Sequence, residues 1–311
     1  MRIAVIGGTG HIGRFLCGML LKNGHELVII HSGRTPVRDP EIAEKSLVVT
    51  LRYHDMLADG TFASLIADQH IEVVIDILQG DIQRVYADCL STKVEHLIAC
   101  GSVWMYGRPK VVPTPEVAQT ECPFEGYRRR YAELLATIEV ARQDGIPVTA
   151  IMPPNICGPG KVPLECSGGR SIEVHKAHRR GEPVILPFPG TNLIGPCDAE
   201  DVAQGFLCAV ENRRAAAFEI FNVGSAYALT AEKFVKTYEE IYKTTIPIEY
   251  VSPEIYARDI SPSISANFHF LEHMCPDISK ISSRLGYKPL YTPEETMERA
   301  VKWMNDEGFF D

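Results

Sequence analysis

The turn at residues 7–13 constrains this chain more than any other stretch. Residues 1–16 read MRIAVIGGTGHIGRFL. The apolar run Ile3–Ile6 leads into a turn carrying Gly7, Gly10 and Gly13, and an apolar-periodic segment with Ile12, Phe15, Leu16, Met19 and Leu20 follows. Strand, glycine turn and helix in that order bring backbone against phosphate. The glycines permit the approach, and the helix N-terminus offers unpaired N–H groups and a positive dipole end. The spacing is Gly-x-x-Gly-x-x-Gly rather than Gly-x-Gly-x-x-Gly. The flanking strand and helix, more than the three glycines alone, therefore make the turn a dinucleotide signal.

The pattern behind the turn repeats. Apolar runs at 26–30, 47–51, 73–78, 96–100 and 147–152 read as strands, and 13–23, 61–69, 81–93 and 127–143 read as helices. Alternating strands and helices predict a Rossmann-type, doubly wound parallel sheet, and buried parallel strands are expected to be continuously apolar, as these are. After Pro153 the chain changes character. PPNICGPGKVP reads as a loop leaving the sheet, 171–180 and 201–211 as helices (the latter capped by Asp198 or Asp201), 218–223 as a strand and 292–305 as a closing helix. The expected organisation is a dinucleotide-binding domain over 1–160, to which the chain returns at about 196–224, and a smaller substrate lobe from 161–195 and 225–311. The lobe would close over the carboxyl ends of the strands, where open α/β sheets bind ligands.

Composition narrows the function classes. A formal charge of −9 carries no footprint for nucleic acid or an anionic membrane. Nine scattered cysteines without a CxxC pair predict a reducing, cytoplasmic setting. A leader is not expected, since Ile3 already belongs to the first strand, and no apolar run approaches the ~20 residues of a membrane span.

At the end of the second strand, where an acid would hold an adenosine ribose 2′-hydroxyl, stand His31 and Ser32, followed by Gly33, Arg34 and Arg38. A missing acid beside arginines favours a 2′-phosphate, hence NADP over NAD, with solvent-facing arginines as the alternative. Asp55, in YHDMLAD after the third strand, is either an acceptor for the adenine amino group or an ordinary turn aspartate.

The fifth strand runs into GSVWMYG, and Ser102, Tyr106 and Gly107 there match a Ser-x-x-x-Tyr-Gly motif. Pro154–Pro159 follow the sixth strand, Asp201–Ala203 read Asp-Val-Ala, and Phe221–Gly224 read Phe-Asn-Val-Gly. Asp277, Ser279, Lys280, Leu285, Gly286, Tyr287 and Pro289 close the pattern. In these motifs, taken in this order, nearly the whole chain resembles the extended short-chain dehydrogenase/reductases of the NAD(P)-dependent epimerase/dehydratase branch. The resemblance implies a homodimer through the helices 81–93 and 127–143. The cofactor set expected from turn, strand ends and resemblance is Gly7, Thr9, Gly10, His11, Ile12, Gly13, His31, Ser32, Arg34, Asp55, Met56, Ile77, Leu78 and Pro154.

In such enzymes a tyrosine transfers a proton to or from a hydroxyl or carbonyl, a serine holds the reacting oxygen, and a lysine four residues past the tyrosine lowers its pKa. Ser102 and Tyr127 take the first two roles, but Tyr131 stands where the lysine belongs, and no lysine lies between Lys110 and Lys161. Three readings follow. A shifted register loses one partner or the other. Tyr127 acts with charge from Arg128–Arg130, of which Arg130 at i+3 is the nearest neighbour. Or the site is catalytically altered, and the cofactor serves regulation. The arginine that nucleotide-sugar members carry before Asp-Val-Ala is Ile194 here, and SANFHFLEHMCPD holds no second arginine. This predicts an oxidoreductase or epimerase acting on a small substrate without a nucleotide diphosphate, with a nucleotide-sugar epimerase/dehydratase as the alternative. Trp104, Asn155, Cys157 and His175 are the candidate substrate contacts. Cys157 reads equally as a small buried hydrophobe and the EVHKAHRRG cluster as a solvated basic helix face, and a metal site is not expected.

Overall fold

The computed structural model describes residues 1–311, the side chain of Asp144 excepted. In chain order the first half runs β1 (Arg2–Ile6), α1 (Gly13–Lys22), β2 (Glu26–His31), α2 (Pro40–Lys45), β3 (Ser46–Thr50), α3 (Tyr53–Ala58), α4 (Thr61–Asp68), β4 (Val73–Asp76), α5 (Ile82–Thr92), β5 (His96–Cys100), α6 (Glu125–Asp144) and β6 (Val148–Met152). There follow β7 (Asn155–Cys157), α7 (Ile172–Arg179), β8 (Val184–Pro187), β9 (Leu193–Ile194), β10 (Pro196–Asp198), α8 (Ala199–Glu211) and, after a short helical turn, β11 (Ile220–Asn222).

Seven strands form one parallel sheet in the order β11-β6-β5-β4-β1-β2-β3. The chain leaves β1 toward β2 and β3, then crosses back to place β4 on β1's other side. The crevice where the order reverses therefore opens at the carboxyl end of β1, at the glycine turn. Helices α1 and α8 bury their apolar faces with Ile3, Val5, Ile29 and Ile75 on one side of the sheet. Residues from α4, α5 and α6 pack with Ala4, Ile6, Val28 and Val74 on the other. Alternate residues of each strand thus enter opposite cores, and so these strands are apolar throughout.

A third core gathers Leu164, Val184, Leu186, Ile194, Leu229, Phe234, Tyr238, Phe270 and Met297 into the smaller lobe. The segment 196–223 returns to the sheet's core through Cys197, Val202, Phe206, Phe221 and Val223. Ile281, Leu285 and Tyr287, expected in the lobe, also pack there. A second departure is the PPNICGPGKVP stretch, expected as loop: Asn155–Cys157 pair in parallel with Pro196–Asp198. The helix after them is capped by Asp198, whose Oδ1 accepts the Glu200 N–H at 2.9 Å. Among the described residues no helix is long and apolar enough to cross a membrane.

Candidate active site

The turn after β1 is built for close approach. Gly7 lies at φ +86°, in the left-handed region that favours glycine, and donates its N–H to the Ile30 carbonyl at 2.8 Å. A Cβ on Gly13 would stand 2.4 Å from the Gly7 carbonyl oxygen, so only glycine lets α1 start this near the strand. Ile12 precedes α1 with its side chain buried in the core and no side chain caps the helix. The Arg14 and Phe15 N–H groups turn back to the Gly10 and Ile12 carbonyls at 3.1 Å each, and the N–H groups just before them, of Ile12 and Gly13, are the ones left for an anion. The His11 ring bonds the Gly158 carbonyl at 3.3 Å. Burial, reinforced by the charges of Lys161 and Arg170, pushes its pKa down to about 3, so His11 is neutral at physiological pH.

Beside the turn lies a cavity of about 560 Å³. Of the expected cofactor residues, Gly7, Thr9, Gly10, His31, Ser32, Arg34, Met56 and Leu78 line it. Arg52, Tyr53 and His54 line it as well, and none of these was anticipated. No aspartate or glutamate is among its lining residues. The expectation for Asp55 is corrected: YHDMLAD is a helix, and Asp55 sits exposed on it, outside the cavity wall, while its neighbours face in. Ile77 packs against the core, and Pro154 lines a separate cavity of about 150 Å³ with Ser225 and Cys275. An uncapped helix N-terminus, a glycine turn no Cβ would fit and an adjoining cavity together suit a dinucleotide.

The residues expected to be catalytic gather at the carboxyl end of β5. Ser102 begins a short 3₁₀ turn and accepts the Trp104 N–H at 3.3 Å. Tyr127, in the first turns of α6, comes within reach of it. Burial pushes the Tyr127 phenol above its ordinary value, while the Arg130 charge and the Ser102 hydroxyl pull it back. Arg130 lines a small gap with Asp76, Gln79 and Gly101, at the ends of β4 and β5, and forms no ion pair among the described residues. Tyr131 points elsewhere: its phenol meets the Ala118 backbone, and its ring lies edge-on to Tyr106 at 5.7 Å. Trp104 is the hub of an aromatic group. It stacks on Phe124 at 5.0 Å, meets Tyr127 edge-on at 6.1 Å and lies 4.6 Å from the His269 ring.

Two lobe assignments are corrected. His175 is wholly buried, its ring nitrogens engaged by Tyr242 Oη at 2.8 Å and the Pro163 carbonyl at 3.2 Å. With His178 it faces the lobe's interior, so the two histidines of EVHKAHRRG are packed inside, and of its basic residues only Arg179 and Arg180 are exposed. Cys157 is buried in the lobe core with its thiol near the Thr296 carbonyl, and burial pushes its pKa up to about 11. Asn155 is buried too, but its Oδ1 accepts from Arg170 at 2.7 Å and its Nδ2 has no partner. Arg170 escaped the sequence reading because nothing local marks it out from other loop arginines.

Other motifs prove architectural. The Tyr106 hydroxyl donates to Asn222 Oδ1 at 3.0 Å, Lys280 Nζ to the Ile220 carbonyl at 2.7 Å and the Tyr287 hydroxyl to the Gly224 carbonyl at 2.9 Å. These bonds clamp Ser-x-x-x-Tyr-Gly and the C-terminal motif to the last strand.

A parallel sheet that reverses order at a glycine turn, with serine and tyrosine at the neighbouring strand ends, defines a Rossmann-type protein of the extended short-chain dehydrogenase/reductase class. The chain belongs to the NAD dependent epimerase/dehydratase family, whose model matches residues 3–88 and 82–224. It is similar to the chloroplast stem-loop binding protein of 41 kDa b of Arabidopsis thaliana, 25% identical over 93% of this chain and 75% of that protein. It is also similar to a UDP-glucose 4-epimerase of Corynebacterium glutamicum, 24% identical over 96% and 93%. In fold it matches a Bacillus cereus UDP-glucuronic acid 4-epimerase solved with NAD, at a TM-score of 0.77, 18% identity and full coverage of both chains. It likewise matches a Bacillus anthracis dTDP-glucose 4,6-dehydratase with NAD, at 0.77 and 15% identity over 98% and 97%.

Proposed function

We propose that the chain is an NAD(P)-dependent enzyme acting on a hydroxyl or carbonyl of a small substrate that lacks a nucleotide diphosphate. The observation that carries this is the meeting of Ser102, Tyr127 and Arg130 at the strand ends beside the glycine turn. The turn and the N-terminus of α1 hold the pyrophosphate, and the bound nicotinamide supplies a hydride donor or acceptor. Ser102 holds the reacting oxygen. Tyr127 gives its proton to that oxygen when a carbonyl is reduced and takes it back when a hydroxyl is oxidised. Arg130 substitutes for the missing lysine as the positive charge that favours the phenolate. It does so from i+3, and it cannot itself give up a proton.

The phosphorylated cofactor is favoured by Arg34 and Arg52 in a cavity wall that holds no acid. The absence of a diphosphate is favoured by Ile194, which is fully buried in the lobe core and paired with Leu229, out of any ligand's reach. A second reading, a dinucleotide-binding regulator, draws support from Tyr131 in the lysine's place and from the stem-loop binding relative. One experiment separates them: turnover of candidate alcohols, ketones and aldehydes by wild type and Tyr127→Phe, with NADPH absorbance followed. Loss of ~100-fold or more in kcat supports the tyrosine's role; equal turnover removes it. Stoichiometric loss of NADPH marks a reductase, and turnover without loss an internal redox cycle.

A further inference from the structure

The segment between β7 and α7 carries a cation that the chain does not neutralise. Three of the N–H groups of Arg170 bond the Val162 carbonyl at 2.7 Å, Asn155 Oδ1 at 2.7 Å and the Ile156 carbonyl at 2.9 Å. All three acceptors are uncharged, and among the described residues Arg170 forms no ion pair. A guanidinium has five N–H donors, so two remain. A largely buried positive charge without a counter-charge is costly, and proteins ordinarily pair it.

Two other polar groups around it are also unfilled. Asn155 Nδ2, on a residue 4% exposed, has no hydrogen-bond partner. Its orientation is set by Arg170, which occupies Oδ1 and leaves the amide N–H₂ to donate elsewhere. His269 Nδ1, on a residue 9% exposed, has none either. Burial and the charge of Arg170 push that imidazole down to about 3, so it is neutral and carries one N–H. His269 lies against Trp104, which in turn touches Tyr127, so the group connects to the reacting centre through two ring contacts. The same charge reaches His11 and Lys161.

We propose that Arg170, with Asn155 and His269, is a recognition site for an anionic substituent of the substrate, a carboxylate or a phosphate. An anion there supplies the missing counter-charge and accepts from the orphaned Asn155 amide and from the remaining guanidinium N–H groups. Such charge-assisted bonds are the strongest this donor set can make. Arg170 itself stands outside the two places where the family carries an arginine, although His269 belongs to the second of them, and the site makes the substrate a small hydroxy or oxo acid, or its phosphate ester. This rests on the reading of Ser102 and Tyr127 as the reacting centre.

The test is binding, not turnover, so it stands apart from the test of Tyr127. The full chain is saturated with the dinucleotide it binds more tightly, and malonate, inorganic phosphate and inorganic pyrophosphate are titrated by calorimetry at constant ionic strength. At least one probe is expected to bind, and the ranking of malonate against the phosphates tells the two sources apart. Arg170→Gln is expected to weaken that binding by ~30-fold or more. Because Arg170 also ties β7 to Val162, Asn155→Asp is the companion variant. It is nearly isosteric, gives Arg170 an internal carboxylate and is expected to abolish anion binding while holding or raising Tm. Equal affinity in wild type and Asn155→Asp overturns the proposal. So does the absence of binding by every probe at tens of millimolar, or binding only when the dinucleotide is omitted, which would assign the cation to the cofactor's own pyrophosphate.

Discussion

At the residue scale the proposed chemistry turns on Tyr131 in the lysine's place and on Arg130 as the nearest substitute charge. The phenol of Tyr127 lies above its ordinary value because burial outweighs the help it receives from Arg130 and Ser102. It is therefore protonated at neutral pH, ready as an acid for carbonyl reduction and slow as a base for alcohol oxidation. The oxidative kcat/KM is expected to climb with pH into the alkaline range. Arg130→Gln removes the charge that favours the phenolate, so its alkaline limb is expected at higher pH than the wild type's, with the reductive direction less affected. Superimposable profiles would show that Arg130 has no hold on Tyr127. The approach of Tyr127 to Ser102 was readable from sequence because both stand in local patterns. Arg170 and His269 were not, because their significance lies in what fails to neutralise or bond them, and that is a property of three-dimensional neighbours.

At the element scale, short segments carried the surprises. The helix α2 has a sequence signature, Asp39 as cap and Pro40 at its first position, with Asp39 Oδ1 accepting the Glu41 N–H at 2.9 Å. The helix α3 has no such cap, and six residues are too few to show a 3.6-residue period, so the sequence does not reveal that His54 and Met56, and not Asp55, line the cavity. That helix is tied to β4 by a buried pair: the Tyr53 hydroxyl donates to Asp76 Oδ2 at 2.9 Å, while Asp76 Oδ1 accepts the Leu78 N–H at 2.9 Å. Burial outweighs those two bonds and pushes Asp76 up from 3.8 to about 6. The folded state thus holds this proton more tightly than the unfolded chain. The stability it contributes is complete below about pH 4 and is lost as pH rises through about 6, on the order of 3 kcal/mol. Asp76→Asn lacks that loss. Its Tm relative to wild type is expected to rise between about pH 4 and 7 and then level off. Parallel Tm curves across that window would show that the carboxyl is not held protonated.

At the scale of the whole molecule, the alternating strands and helices carried the topology almost unaided, since a buried parallel strand must be apolar on both faces. The lobe's limits were harder, because 278–287 lies late in the chain yet packs beneath the sheet, and only the partners of Ile281 and Tyr287 reveal it. Charge is distributed just as unevenly. The chain carries −9 overall, yet Arg34 and Arg52 line the cavity beside the glycine turn, and the charges of Lys161 and Arg170 reach His11 in that turn. An anionic cofactor is repelled at long range and attracted at short range. Salt screens the first more completely than the second, because partly buried charges are less exposed to counter-ions. If Arg34 and Arg52 face a 2′-phosphate, that group adds nearly two charges to the short-range attraction alone. The Kd for NADPH should then rise more steeply than that for NADH as ionic strength goes from about 0.05 to about 0.5 M. In the double variant Arg34→Ser, Arg52→Ser the two slopes should converge and the preference for NADPH fall ~10-fold or more. Equal slopes in the wild type would assign these arginines to solvent and the cavity to NAD.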